Sequence, residues 1–505
     1  MLRPIPSVLV SILVAWPLAG MAQLRMPEPV AEDIVQALRA QLVEAVEHLA
    51  DNDTAGAARR FDTLIDAPGF AVLDADERYS ALLRAGIAAL ELGQESKAHP
   101  LLVRACGFNE ATGSAWHLRL QAAYAIDDFS DSALAIGVIA RRWPQTLGQI
   151  REQAIFNVVR RTKADPAAAD RHASLLSDLY DANWTDEGRE PDPLWTDYAR
   201  LLLERRDLAR ATEVAARIES AEFVHGLRVD RRFDALVKAR RGGFDVARAI
   251  ERERARNRHL REAAADRLEP LVHEIMLDLR DGDAARGLAL ADETLARIAA
   301  DGMSAYADAD EEYVWLLDVR AQALQRLGRW DEAVAQLRRA ARRPEGGAMN
   351  VSQVLNLGRL LARLERVDEL EPAMEDVGSM SAYGRLQFAL NRLIAALVRG
   401  DDAAVEVQLD ELRRGRAESI GTWQAALVQA GRIDAAAAVL IERLAREDWR
   451  RDALSEMQEC VRTLEAPRDT LHMRNWQAVL ERRDVRKALD AVGRIERVPF
   501  ACSPL

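Results

Sequence analysis

Residues 320–344, Arg-Ala-Gln-Ala-Leu-Gln-Arg-Leu-Gly-Arg-Trp-Asp-Glu-Ala-Val-Ala-Gln-Leu-Arg-Arg-Ala-Ala-Arg-Arg-Pro, decide the fold of this chain. Apolar and small residues recur at helical spacing on both sides of Gly328, and Pro344 stops the pattern. The stretch reads as two amphipathic helices that meet at a Gly-Arg-Trp-Asp turn. Its phase is Ala321, Gly328, Ala333, Leu337, Ala340, with steps of 7, 5, 4 and 3. The first small residue lets helix A approach helix B, the glycine permits the turn, and the rest form the stripe that helix B buries.

Walking outward, the same steps give Gly86, Gly93, Ala98, Leu102 and Ala105. They also give Ala45, Asn52, Ala57, Phe61 and Leu64, then Ala199, Arg206, Ala211, Ala215 and Ile218. A last placement is Trp476, Arg483, Ala488, Val492 and Ile495. Pro100 and Pro372 fall at one shared position about one turn into helix B, where a missing amide costs little. Turn signals stand near 52, 93, 128, 165, 206, 242, 282, 328, 366, 400, 431, 466 and 483. Several of these intervals are close to a period of about 34 residues.

The segment from about 315 to 345 resembles a tetratricopeptide repeat (TPR). Leu324, Gly328, Trp330, Ala333, Leu337 and Ala340 sit on the motif's usual positions, with Pro344 one residue early. Asn356-Leu357-Gly358 resembles the start of another repeat, whereas the unit around Gly242 places Glu251 and Arg254 where apolar residues belong. The expected fold is therefore all-α, an array of 11 to 13 antiparallel helical hairpins. The resemblance implies a right-handed superhelix with a concave ligand surface.

Five segments are expected. Residues 1–22 read as a signal peptide: Arg3 gives a positive start, Val8 to Leu18 a short apolar core, and Gly20-Met21-Ala22 a cleavage site after Ala22. A helical-repeat segment follows over 23–182, then an acidic Pro/Gly loop over 183–193. A second repeat segment runs over 194–497, and an irregular tail over 498–505. No strand-like alternation is visible. The reading implies a periplasmic or secreted protein with no membrane span once the signal is removed.

The formal charge of −12 becomes −13 without Arg3 and argues against nucleic acid, whose phosphates need a basic surface. Cys106, Cys460 and Cys502 have no metal spacing. A Cys460–Cys502 bridge would tie the last helices together in an oxidising compartment. The favoured alternative makes Cys106 and Cys460 small buried apolar residues and Cys502 a free tail thiol.

No catalytic set, cofactor site or metal site is read. The eight histidines are scattered, with no i, i+4 pair. Asp308, Asp310, Glu311 and Glu312, and likewise Asp278, Asp281 and Asp283, lack calcium-loop spacing and read as helix-start and turn residues. The charge run from Glu251 to Glu262 reads as a solvated, self-paired helix face.

What remains is the helix A face, which lines the groove in the resembling family. Its candidate binding residues are Gln322, Gln325, Arg326, Asn356, Arg359, Arg363, Asn391 and Arg392. Such side chains would suit an acidic peptide or carboxylate. They depart from the family's two-carboxylate clamp, whose lysines are absent. The implied role is a non-enzymatic scaffold for a protein or peptide partner, the alternative being an accessory subunit of envelope polysaccharide or export machinery.

Overall fold

The computed structural model describes residues 32–240, 242–345, 347–461 and 466–501. The signal-peptide reading of residues 1–22 and the thiol of Cys502 lie outside them. Among the described residues helices dominate, 26 of them α-helical, from Glu32–Ala50 to Arg483–Val492. The chain forms two compact units, Met1–Asp178 and Leu179–Leu505.

The hairpin turn is one device used many times. Asn52, Gly93, Asp127, Arg206, Gly282, Gly328, Glu365, Gly400 and Gly431 all take positive φ at the end of an A helix. The next amide then donates to the carbonyl five residues back, as in Arg329 N to Leu324 O at 2.9 Å and Gln94 N to Ala89 O at 2.8 Å. This ties off carbonyls that a helix end otherwise leaves unpaired. An aspartate often follows and caps helix B. Asp53 accepts from Gly56 N, Asp128 from Asp131 N, Asp283 from Arg286 N, and Asp401 from Ala404 N. Gly328→Ala places a Cβ on a residue at φ 73° and is expected to cost about 1 kcal/mol, read as a lower thermal midpoint.

Helix packing follows the sequence phase. Ala321, Leu324, Ala333, Leu337 and Ala340 are buried, as are Ala45, Ala57, Phe61 and Leu64. A Cβ on Gly86 would sit 2.7 Å from Leu102 Cδ2, so this small residue is what allows helix A to touch helix B. Gly358 plays the same part, with Met374 Sδ and Asn391 Nδ2 at 2.5 and 2.9 Å from an added Cβ. The placement ending at Ile495 fails: Arg483 begins a helix instead of a turn, and Ile495 is exposed.

Three expectations are corrected. The charge run of helix Val246–Ala263 is not self-paired, because its partners lie on helix Glu269–Arg280 and in the loop before helix Ala221–Val229. Arg254 Nη1 meets Asp278 at 2.9 Å, Arg256 meets Glu219 at 2.8 Å, and Glu253 and Arg261 pair with Arg280 and Glu274. Asp278 is fully buried and also holds Arg286, so at Arg254 an ion pair stands where the repeat pattern has an apolar contact, while Glu251 is exposed. The tail is not irregular from 498 onward, because Arg497–Ala501 is a strand parallel to Glu459–Val461. A pairing between short segments almost 40 residues apart leaves no local alternation to read. Cys460, finally, is disulfide-bonded and not a free thiol, whereas Cys106 is free and buried.

The second unit closes its first helices against its last. Arg494 N donates to Val229 O at 3.0 Å, Arg228 Nε meets Glu496 at 2.9 Å, and Arg494 pairs with Asp234. Gly493 is required at this seam, since a Cβ there would lie 2.9 Å from the Val229 carbonyl oxygen. Across the same seam the Arg280 guanidinium lies 5.7 Å from the Phe500 ring centroid.

Candidate functional site

Helices Ala309–Arg326 and Ser352–Arg363 carry six of the eight polar positions singled out above, and helix Ala382–Arg399 carries Asn391 and Arg392. The structure sorts them into distinct environments. Asp318, buried within helix Ala309–Arg326, accepts from Gln322 Nε2 at 2.8 Å and from Asn356 Nδ2 at 2.9 Å. Asn356 Oδ1 in turn accepts from Arg359 Nη2 at 3.2 Å. Burial pushes the Asp318 carboxyl above its ordinary range, opposed by its two amide donors.

Arg363 is buried and engaged elsewhere. Its Nε and Nη2 grip both oxygens of Asp469 at 2.8 and 2.7 Å, and its Nη1 donates to Gln325 Oε1 at 3.1 Å. Asp469 stands in the first turn of helix Pro467–Leu480, where it also accepts from Ala466 N at 2.8 Å. One carboxylate thus caps its own helix and fastens it to a helix 106 residues earlier. Asn391 is buried too, donating to the Leu355 carbonyl at 3.0 Å. Arg392 remains at the surface, paired with Glu371 at 3.1 Å and stacked on Phe388.

Helix Pro467–Leu480 therefore packs on the face that the sequence reading left open. Arg468 reaches the Gln429 carbonyl at 3.1 Å, and Asn475 reaches the Val428 carbonyl at 2.8 Å. His472, one turn after Asp469, is buried with no partner on either ring nitrogen. Burial, reinforced by Arg468 and Arg363 and opposed by Asp469, lowers its pKa to about 4. Asp318, Asp469 and His472 were missed in sequence. Asp318 alone had a local signal, as a single acid inside the apolar run Val314 to Leu324.

Other reactive side chains have structural partners. Asp131 receives Arg119 Nε at 2.9 Å and lies 2.9 Å from His99 Nε2. Nearby, burial pushes the Cys106 thiol up to about 11, which keeps it protonated and weakly nucleophilic at neutral pH. Asp308 caps the Leu268 and Glu269 amides at 2.6 and 3.0 Å. Among the described residues no group of three or more His, Cys, Asp or Glu is placed to hold a metal ion. Also among them, no helix is long and apolar enough to cross a membrane. A cleft of about 150 Å³ lies at the closure seam between Glu222–Val229 and Arg451–Ser455.

No family model matches the chain, and no curated protein does. Among solved structures it is similar to the Cut9–Hcn1 hetero-tetramer of APC/C, at 12% identity over 91% of this chain and 90% of that one, with a TM-score of 0.29. Yeast Tom70 gives 12% identity over 90% and 99% of the two chains, with a TM-score of 0.26. The TPR domain of P58(IPK) gives 14% over 81% and 100%, with a TM-score of 0.20. At such scores the likeness decides nothing. The hairpins themselves do, through their shared turn, small contact residues and buried stripe. The fold is a TPR-like helical repeat.

Proposed function

We propose that this protein is an exported, non-enzymatic scaffold of the cell envelope that binds another protein or peptide. The observation that carries the reading is the repeated hairpin itself, from helix Glu32–Ala50 through helix Arg483–Val492. Within each unit the hairpins pack on one another and leave polar side chains at the surface, an arrangement suited to a peptide or protein partner. Export is supported by the signal-like residues 1–22 and by the disulfide at Cys460, since such bonds persist in oxidising compartments. Of the eight candidate residues, Gln322 and Arg392 stay exposed and Gln325, Arg326, Asn356 and Arg359 half-buried, so these six are the ones open to a partner.

The test is crosslinking in intact cells, followed by recovery of the tagged chain from the envelope fraction and non-reducing mass analysis. A discrete protein partner, together with the oxidised Cys460 and loss of residues 1–22, is the expected result. Retention on envelope glycan without any protein partner would replace this reading with the polysaccharide-machinery one. A cytosolic, reduced and uncleaved chain would overturn the export assignment.

A further inference from the structure

Helix Ala221–Val229 carries a glycine that neither its backbone nor its packing requires. Gly226 sits inside the helix without a positive φ, and a Cβ added there would meet nothing within 4 Å. Glycine is among the poorest helix formers, so its place here points to open space kept beside the backbone. That space is the cleft of about 150 Å³ at the closure seam. Glu222, Gly226 and Val229 line one wall at steps of four and three along a single helix face. Leu454 and Ser455 of helix Glu447–Glu456 line the other.

The apolar end of the cleft is formed by Val229 and Leu454, both buried and both against Gly493. At the polar end the Arg451 guanidinium lies 4.5 Å from the Phe223 ring centroid, which brings their chain neighbours Asp452 and Glu222 to the same place. Arg451 is already answered, since its Nε and Nη2 both donate to Asp452 Oδ1, at 3.1 and 3.0 Å. Among the described residues, Asp452 Oδ2 and the Glu222 carboxylate have no hydrogen-bond or ion-pair partner. His225, also in the lining, is buried. Burial, opposed by Glu496 and reinforced by Arg228, lowers its pKa to about 4, so the ring adds no charge at neutral pH. Two carboxylates against one guanidinium leave the lining with an unanswered negative charge.

Volume and charge together define the ligand. A cavity of this size takes about six heavy atoms, as benzene has. We propose that the cleft binds a primary ammonium group on a short aliphatic stem, as a free alkylamine or as the lysine side chain of a partner. The stem lies along Gly226 toward Val229 and Leu454, and the ammonium donates to Glu222 and to Asp452 Oδ2. A compact head with three donors suits two carboxylates, whereas an anion would meet Glu222 and a guanidinium committed elsewhere. The inference does not rest on the scaffold reading, because a free amine fills the cleft with or without a partner protein.

The experiment is calorimetric titration of the full chain with pentylammonium chloride. Pentanol and sodium pentanoate carry the same stem without charge and with the opposite charge, and ammonium chloride at matched ionic strength is the reference. Saturable one-to-one binding of pentylammonium, weaker binding of pentanol and none of pentanoate or ammonium are expected. The blocked peptide acetyl-Gly-Lys-Gly-amide separates the sources. Binding at least as tight as that of the free amine assigns the cleft to a partner's lysine, and weaker binding assigns it to a small amine. Glu222→Gln should weaken pentylammonium binding about fivefold, the upper range for an exposed ion pair. Gly226→Leu should abolish it without lowering the thermal midpoint, since the added side chain enters open space and leucine favours the helix. Glu406→Gln, at an exposed acid paired with Arg432, leaves binding unchanged. Pentanol binding as tightly as pentylammonium, no saturable binding of pentylammonium, or binding that Glu222→Gln and Gly226→Leu both leave unchanged would overturn the proposal.

Discussion

Arg363→Ala is expected to destabilise the second unit by about 3–5 kcal/mol, the largest effect of any single substitution considered for this chain. The pair it breaks is almost fully enclosed, with side-chain exposures of 8% for Arg363 and 5% for Asp469. Removing the guanidinium leaves the carboxylate with the Ala466 amide as its remaining donor, in a place where water does not replace what was lost. The cost comes chiefly from the orphaned charge, less from the lost attraction. The double substitution Arg363→Met with Asp469→Leu should accordingly recover most of the stability, because neither charge then needs solvation. Urea unfolding of the three proteins checks this, with hydrogen exchange of helix Pro467–Leu480 as the local readout. A loss below about 1 kcal/mol in Arg363→Ala would mean the pair is not formed in solution.

The second large effect is a change in acid sensitivity on replacing His472. In the folded chain its pKa is held at about 4, while the unfolded chain titrates it at the ordinary 6.5. Between these values the unfolded state carries a proton that the folded state refuses, so stability falls as pH drops from about 6.5 toward 4. His472→Leu keeps the volume close and removes the titration. At pH 5 the variant should exceed the parent by about 2 kcal/mol more than it does at pH 8, from 1.36 kcal/mol per unit over the interval between 6.5 and 5. Because neither ring nitrogen has a hydrogen-bond partner, the substitution sacrifices no bond at neutral pH. Parallel stability-versus-pH curves for the two proteins would rule out a buried neutral imidazole.

These two residues also mark where reading the sequence stopped. The turn at Gly328 was legible because its causes are local: a residue able to take positive φ, a buried small residue seven positions earlier, and a helix B stripe after it. The same local causes carried the reading to Asn52, Gly93 and Arg206, where three non-identical residues adopt nearly the same left-handed turn. Arg363 and Asn391 read as groove residues for an equally local reason, being polar and on the A face. For Arg363 that face is closed by a helix about 100 residues further on, which brings Asp469, whereas Asn391 is buried against Leu355 and Met374 of the preceding hairpin. The charge run of helix Val246–Ala263 had the same limit. Its i, i+3 and i+4 pattern suggested pairing along the helix, yet Arg254 and Arg261 find their acids on helix Glu269–Arg280 and Arg256 finds Glu219 in a loop.

The sequence by itself determined that this chain is a TPR-like array of hairpins and where most of its turns fall. Helical periodicity, left-handed turn residues and small-residue contacts all act within a span of a few turns, so they are written in adjacent residues. Tertiary structure alone decided that the second unit closes on itself and that Asp469 fastens Arg363. It also decided that Arg326 leaves a buried Nη1 without a hydrogen-bond partner while Arg363 on the next A helix is paired. Charge compensation in a buried place depends on what folds back from far along the chain, and no local spacing encodes that distance.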